Sequence, residues 1–114
     1  VTACDTDPLA LAAIRANAEV NGVSLKLLDN LANLSSKVDL LIAADVLYDR
    51  DNLSWLSELH LYADEILIAD SRVRDRKLFS AYQHIAEEKA TTIPDLDELE
   101  EFGNVSIYYQ ANHP

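Results

Sequence analysis

The stretch from Asp39 to Asp49, DLLIAADVLYD, constrains the fold more strongly than any other part of the sequence. Residues Leu40 to Ala44 are all apolar, which is typical of a strand buried on both faces of a parallel sheet. Ligands of open α/β sheets bind beyond the carboxyl ends of the strands. We therefore expect the carboxyl end of this strand to present Asp45, Tyr48 and Asp49 to a ligand. This segment is predicted to form the active site.

Strands and helices alternate along the rest of the chain. Short apolar runs predict parallel strands at Val1–Cys4, Val23–Leu28, Leu40–Ala44 and Ile66–Ala69. Two further strands, Thr91–Ile93 and Val105–Tyr109, lack a crossover helix between them and are predicted to form an antiparallel pair at one edge. These elements predict an α/β fold with a mostly parallel sheet.

Helical periodicity predicts three helices between these strands. The first begins at Asp7-Pro8, which supplies a capping carboxylate and a proline in the first turn, and stops at Asn21-Gly22. Its apolar positions are Leu9, Ala12, Ala13, Ala16 and Val20. A second helix is predicted around Trp55–Tyr62, and a longer one from about Arg74 to Lys89.

Length and charge limit the classes of function. The chain has 114 residues, enough for one domain with a proper core, and we predict a single domain over residues 1–114. A formal charge of −11 argues against nucleic acid or an anionic membrane as partner and favours a cationic one. No sequence segment resembles a membrane span or a signal peptide, which favours a cytoplasmic location.

Cysteine and histidine usage predicts neither a disulfide nor a metal site. Cys4 is the only cysteine of the sequence, and His60, His84 and His113 are scattered without metal-ligand spacing.

Acidic residues close four predicted strands: Asp5, Asp29, Asp45 and Asp70. Each alone is an ordinary turn or cap residue. As a set at one sheet edge, their carboxylates suit the hydroxyl, amino or cationic groups of a ligand, because each oxygen accepts hydrogen bonds.

These motifs resemble the class I S-adenosylmethionine-dependent methyltransferases from their second strand onward. The resemblance rests on VTACDTDP with ANAEVNG, on the strand ending at Asp29, and on DLLIAADVLYD. It implies a Rossmann-like methyltransferase sandwich in which Asp5 binds the ribose hydroxyls of S-adenosylmethionine and Asp29 faces the adenine amine. Asp45 and Tyr48 match the acid-x-x-aromatic motif of the seven-strand lysine methyltransferases, next to the reacting methyl.

The segments AADVLYDRDNL and EILIADSRVRD are most similar to the branch that modifies the electron transfer flavoprotein beta subunit. This resemblance implies methyl transfer to an accessible lysine of a protein, with a small amine as the alternative acceptor. Asp45 would bind and orient the amine, because a neighbouring carboxylate raises a lysine's pKa and does not deprotonate it.

The resemblance also implies a first strand and a glycine-rich loop before Val1, since neither Gly22 nor Gly103 can form that loop. In the family's sheet the first strand lies between the second and the fourth, so a gap of about 10 Å is expected. Unpaired backbone groups beside such a gap favour self-association as a homodimer. We therefore expect the chain alone to bind S-adenosylmethionine weakly or not at all and to show little methyl transfer.

Two other classes of function remain open from the sequence. A nicotinamide-dependent oxidoreductase also places an acid at the end of its second strand, so Asp5 does not discriminate, although the cluster after Ala44 argues against it. A non-catalytic, truncated Rossmann-like domain that acts through its unfilled sheet edge is the other alternative.

Overall fold

The computed structural model describes residues 1–45, 47, 50–73, 75–91 and 103–111. The chain divides into two compact units, Val1–Ser36 and Lys37–Pro114, and each is described by itself. The first contains β1 (Thr2–Cys4), α1 (Pro8–Val20) and β2 (Lys26–Leu28). The second contains β3 (Val38–Ala44), β4 (Ala63–Asp70), β5 (Gln83–Lys89) and β6 (Asn104–Ala111).

Helix α1 begins and ends where its sequence predicts. The Asp7 side chain accepts a hydrogen bond from the backbone N–H of Leu9 at 2.9 Å, and Pro8 occupies the first turn. At the other end Asn21 caps the helix, and Gly22 takes a positive φ of 63°, a conformation that costs glycine little.

The half-buried face of α1 differs from the predicted one. Leu9 and Val20, predicted on the apolar face, are 81% and 85% exposed. The half-buried positions are instead Ala10, Leu11, Ile14 and Ala18. The helix is rich in alanine and apolar nearly all round, so more than one stripe satisfies the helical period, and the sequence alone selected the wrong one.

Strands β1 and β2 form a short parallel pair, with Ala3 opposite Leu27. The predicted second strand, Val23–Leu28, shortens to three residues because its partner β1 is itself only three residues long. Between this pair and the next sheet, Leu31–Asn33 forms a single 3₁₀ turn.

The second unit contains a four-stranded mixed sheet in the order β3-β4-β6-β5. Strands β3 and β4 are parallel, and β6 is antiparallel to both β4 and β5. This arrangement confirms the predicted α/β class, with parallel core strands and an antiparallel pair at one edge. Among the described residues, the strands form two separate sheets, one in each unit.

The core of the second unit lies on one face of this sheet. Ile66 and Ile68 alternate along β4 on that face and are at most 1% exposed. Tyr108 lies opposite Ile68 on β6, and its ring stacks on Phe79 with ring centroids 3.9 Å apart. The remaining buried apolar side chains are Leu47, Leu56, Leu59, Ala63 and Tyr82.

The prediction that β3 is buried on both faces is wrong. Leu41 and Ala43 are half-buried, opposite Ile66 and Ile68, whereas Leu40 and Ile42 are 46% and 65% exposed. Within the described residues, only the face of β3 that carries Leu41 and Ala43 is covered. An apolar run alone does not distinguish a strand covered twice from a strand covered once.

The helix predicted from about Arg74 to Lys89 is also wrong. Only Arg76–Phe79 forms a 3₁₀ turn, and Gln83–Lys89 forms strand β5, which pairs antiparallel with β6. Pairing with β6 satisfies the backbone of this segment and outweighs its helical periodicity. The register shifts between His84 and Ala86, and such an irregularity removes the strict alternation that would have predicted a strand.

The second predicted helix takes a different helical form, and the predicted strand Thr91–Ile93 lies mostly outside the described residues. The second helix forms as 3₁₀ segments, Arg50–Ser57 and Leu59–Leu61, rather than as an α-helix. Of the predicted strand Thr91–Ile93, Thr91 belongs to no strand and the other two residues lie outside the described set. The predicted last strand is confirmed as β6.

Candidate active site at the strand ends

Asp5 and Asp29 come together at the carboxyl ends of β1 and β2. They directly follow Cys4 and Leu28, which lie opposite each other in the parallel register. The backbone N–H of Asp5 donates to the carbonyl of Leu28 at 3.1 Å. Burial raises the pKa of the Cys4 thiol, and the negative charges of Asp5 and Asp29 raise it further, which places both carboxylates near one thiol.

Each of these carboxylates uses one oxygen locally. Oδ1 of Asp5 accepts from the backbone N–H of Asp7 at 2.9 Å, and Oδ1 of Asp29 accepts from Nδ2 of Asn33 at 2.9 Å. No donor among the described residues reaches the second oxygen of either side chain. Two carboxylate oxygens are therefore available to donors of a ligand at this edge.

Asp45 follows β3 in a left-handed backbone conformation, with a φ of 48°. Aspartate tolerates this region better than most residues, and unusual backbone conformations are common at functional sites. The backbone N–H of Asp45 donates to the carbonyl of Ala69 on β4 at 2.9 Å. Oδ1 of Asp45 accepts from both the backbone N–H and the hydroxyl of Ser71, each at 2.9 Å.

Asp70 ends β4 as a buried acid. It follows Ile66 and Ile68 on the covered face of the sheet and is only 3% exposed. Its Oδ2 accepts from the backbone N–H groups of Arg72 at 3.2 Å and Val73 at 2.7 Å. Its Oδ1 is buried and has no hydrogen-bond partner among the described residues.

The charge state of Asp70 reflects this environment. Burial raises the pKa of its carboxyl, and the negative charge of Asp45 raises it too. The hydrogen bonds from Val73 and Arg72 and the positive charge of Arg72 act in the opposite direction but do not cancel the effect of burial. The pKa of Asp70 thus lies above that of an ordinary aspartate, beside the exposed carboxylate of Asp45.

The predicted acids form one pair in each unit, Asp5 with Asp29 in the first and Asp45 with Asp70 in the second. Tyr48 and Asp49 lie outside the described residues. Sequence reasoning missed Ser71 as a partner of Asp45. The available signal was a serine directly after the acid that ends the strand neighbouring β3.

The described part of the chain contains no group of three or more histidine, cysteine, aspartate or glutamate side chains arranged to hold a metal ion. Among the described helices, none has both the length and the apolar character that crossing a membrane requires.

Comparison with solved structures identifies the fold. PH1948 from Pyrococcus horikoshii, a proposed RNA methyltransferase, superposes with a TM-score of 0.66 at 13% identity, over 97% of this chain and 60% of its own. TehB from Haemophilus influenzae gives a TM-score of 0.63 at 12% identity, over 99% of this chain and 50% of its own. Protein 1320 from Thermoplasma acidophilum gives 0.63 at 25% identity, over 99% of this chain and 62% of its own.

These similarities show a mixed α/β, Rossmann-like fold, with parallel core strands and antiparallel edge strands. The chain spans 50% to 62% of the length of these three structures. No protein-family model matches the sequence, and no curated protein matches it.

Proposed function

We propose that this chain serves S-adenosylmethionine-dependent methyl transfer, with a lysine amine of a protein as the acceptor. The observation that carries the proposal is the exposed carboxylate of Asp45, which directly follows the carboxyl end of β3. The fold around it is shared with a proposed RNA methyltransferase. One of its oxygens is held by Ser71, and no described residue donates to the other.

The first acid pair supports the cofactor assignment. We assign Asp5 to the ribose hydroxyls and Asp29 to the adenine amine of S-adenosylmethionine. Each of these side chains has an oxygen without a donor among the described residues, and each candidate ligand group is a hydrogen-bond donor. When bound, S-adenosylmethionine supplies an electrophilic methyl group on a sulfonium sulfur.

At the methyl acceptor, Asp45 serves to align the amine with the methyl group and not to remove its proton. Methyl transfer is an in-line displacement, so holding a neutral amine lone pair in line with the methyl carbon supplies much of the acceleration. Asp45 binds and orients the incoming ammonium, and loss of the proton depends on desolvation or a water path. Tyr48 lies outside the described residues, and we propose for it only a cation–π attraction to the acceptor ammonium.

Charge favours a basic acceptor. The formal charge of −11 attracts a lysine-bearing protein surface, and the DVLY motif resembles that of the lysine methyltransferase branch acting on the electron transfer flavoprotein beta subunit. A small amine would satisfy Asp45 equally well and is the alternative acceptor.

Calorimetric titration with S-adenosylmethionine and, separately, with NAD tests the cofactor assignment. For the chain alone we expect S-adenosylmethionine to bind weakly or not at all, and NAD not to bind. Asp5→Ala should weaken that binding by roughly 1.5 to 3 kcal/mol for each hydrogen bond lost to the carboxylate. The exposed Asp39→Ala is the matched control. Unchanged affinity in Asp5→Ala would remove the ribose assignment, and a preference for NAD would favour the oxidoreductase alternative.

Transfer of a radiolabelled methyl group to basic proteins and to small amines tests the acceptor. Labelled lysine in a protein, lost in Asp45→Ala and retained in Asp39→Ala, is the expected result. Label on small amines alone would replace the protein acceptor with the alternative one.

A second candidate function, self-association of a non-catalytic domain, is favoured by one observation. Leu40 and Ile42 are exposed on β3, and no described strand pairs with its other edge. Such an edge presents unpaired backbone groups beside apolar side chains, which a second copy of the chain could cover. Absence of binding to either cofactor, together with a stable dimer, would favour this candidate.

A further inference from the structure

The turn after β4 is built by Asp70 itself. Its Oδ2 accepts from the backbone N–H groups two and three residues ahead, at Arg72 and Val73. An aspartate that bonds in this way fixes the following turn. Because Asp70 is buried on the same face as Ile66 and Ile68, the turn is anchored in the core of the sheet.

This anchored turn directs both donors of Ser71 at one oxygen of Asp45. The backbone N–H and the hydroxyl each lie 2.9 Å from Oδ1. Two donors from one residue restrain both the position and the rotation of a carboxylate better than one does. Within the described residues, Oδ2 of Asp45 receives no donor, and the residue is exposed.

The backbone of Asp45 is constrained at the same time. Its N–H bonds to Ala69, the residue just before Asp70, and its φ of 48° turns the chain away from the strand direction. Asp45 is thus held by the end of β4 at both its backbone and its side chain. The position of its carboxylate depends on β4 as much as on its own strand.

We propose that Ser71, held by the turn that Asp70 closes, is a positioning residue that fixes Oδ1 of Asp45 and leaves Oδ2 to receive the polar group of the methyl acceptor. This inference rests on the proposed function for its second half. The contact between Ser71 and Asp45 does not depend on any ligand and is tested separately.

The first test measures the χ1 rotamer of Asp45 from Hα–Hβ coupling constants in the purified chain. We expect one rotamer in the unaltered chain, averaging among rotamers in Ser71→Ala, and recovery of one rotamer in Ser71→Thr, which keeps the hydroxyl. Ser80→Ala, an exposed serine at the end of another turn, is the control and should change nothing. A single rotamer retained in Ser71→Ala would overturn the positioning role.

A second variant keeps the test decisive if Ser71→Ala does not fold. Asp45→Gly removes the carboxylate and suits the positive φ at this position. Loss of the acceptor should speed hydrogen exchange at the Ser71 amide, whereas the Val73 amide, bonded to Asp70, should be unaffected. Unchanged exchange at Ser71 would also overturn the positioning role.

Kinetics of methyl transfer then test the role of Oδ2. Ser71→Ala should lower kcat/KM about tenfold, the order expected for one lost hydrogen bond, with most of the loss in kcat and recovery in Ser71→Thr. Averaged rotamers with unchanged kcat/KM would overturn the assignment of Oδ2 to the acceptor. If methyl transfer by the unaltered chain is too slow to measure, as expected for a chain that binds S-adenosylmethionine weakly or not at all, the rotamer measurement still decides the contact between Ser71 and Asp45.

Discussion

The alternation of side chains between the two faces of β4 places the carboxyl of Asp70 on the buried face and thereby shifts its pKa. It lies on the covered face of β4, and burial raises its pKa above the value of 3.8 for an ordinary aspartate. Between pH 3.8 and the higher pKa of Asp70 in the folded protein, the folded chain binds more protons than the unfolded chain. The contribution of Asp70 to stability is therefore fully present below pH 3.8 and is lost as pH rises through the folded pKa.

We predict that Asp70→Asn removes this part of the pH dependence. The unfolding free energy of the unaltered chain should fall relative to that of Asp70→Asn as pH rises from 3.8 through the folded pKa, and then run parallel to it. Urea denaturation at a series of pH values measures the difference. Asp39→Asn, at an exposed position, controls for loss of a charge. Parallel curves for the unaltered chain and Asp70→Asn across the whole range would contradict the prediction.

Tyr82 provides a second prediction at this scale. Its buried hydroxyl donates to the carbonyl of Leu56 at 2.7 Å, and burial raises the pKa of Tyr82 to about 12, so it stays a donor at ordinary pH. Tyr82→Phe leaves a buried carbonyl without its partner and should cost about 1 to 3 kcal/mol of unfolding free energy. Tyr109→Phe, which removes a bond to a Glu65 carboxylate that is partly open to water, should cost less. The reverse order would show that the Leu56 carbonyl finds another donor.

Helix α1 depends on its capping hydrogen bond because its packing is weak. No residue of α1 is fully buried, so its capping contributes a large share of its stability. We predict that Asp7→Ala costs about 1 kcal/mol and raises hydrogen exchange through the first turns of α1. Asp7→Asn keeps an acceptor for the Leu9 N–H and should be nearly neutral. Equal effects of the two substitutions would mean that the charge, not the cap, stabilises this helix.

The exposed edge strand β3 leads to a prediction about self-association of the chain. We expect the chain to self-associate through β3, and more strongly at high salt, because salt screens the repulsion between chains of charge −11. Ile42→Lys should shift the sedimentation equilibrium toward monomer. Ile85→Lys, at an exposed position on the opposite edge strand β5, is the control. A monomer at every salt concentration would exclude β3 as a self-association surface.

Features that depend only on residues close together in the chain were predictable from the sequence. The cap at Asp7, the stop at Gly22 and the strands β3, β4 and β6 lie where local patterns predict them, because these signals act over a few residues. The acids at the strand ends were predictable for the same reason. An acid that follows a buried run lies at a sheet edge once that run forms a strand.

The partners that these elements meet depend on packing between segments far apart in the chain. Gln83–Lys89 is a strand because β6 lies beside it, and β3 is exposed on one face because only its other face is covered within the described residues. Ser71 reaches Asp45 across 26 residues of sequence because β3 and β4 are paired in parallel and end side by side. Such contacts depend on strand order and register, and short-range periodicity carries no information about either.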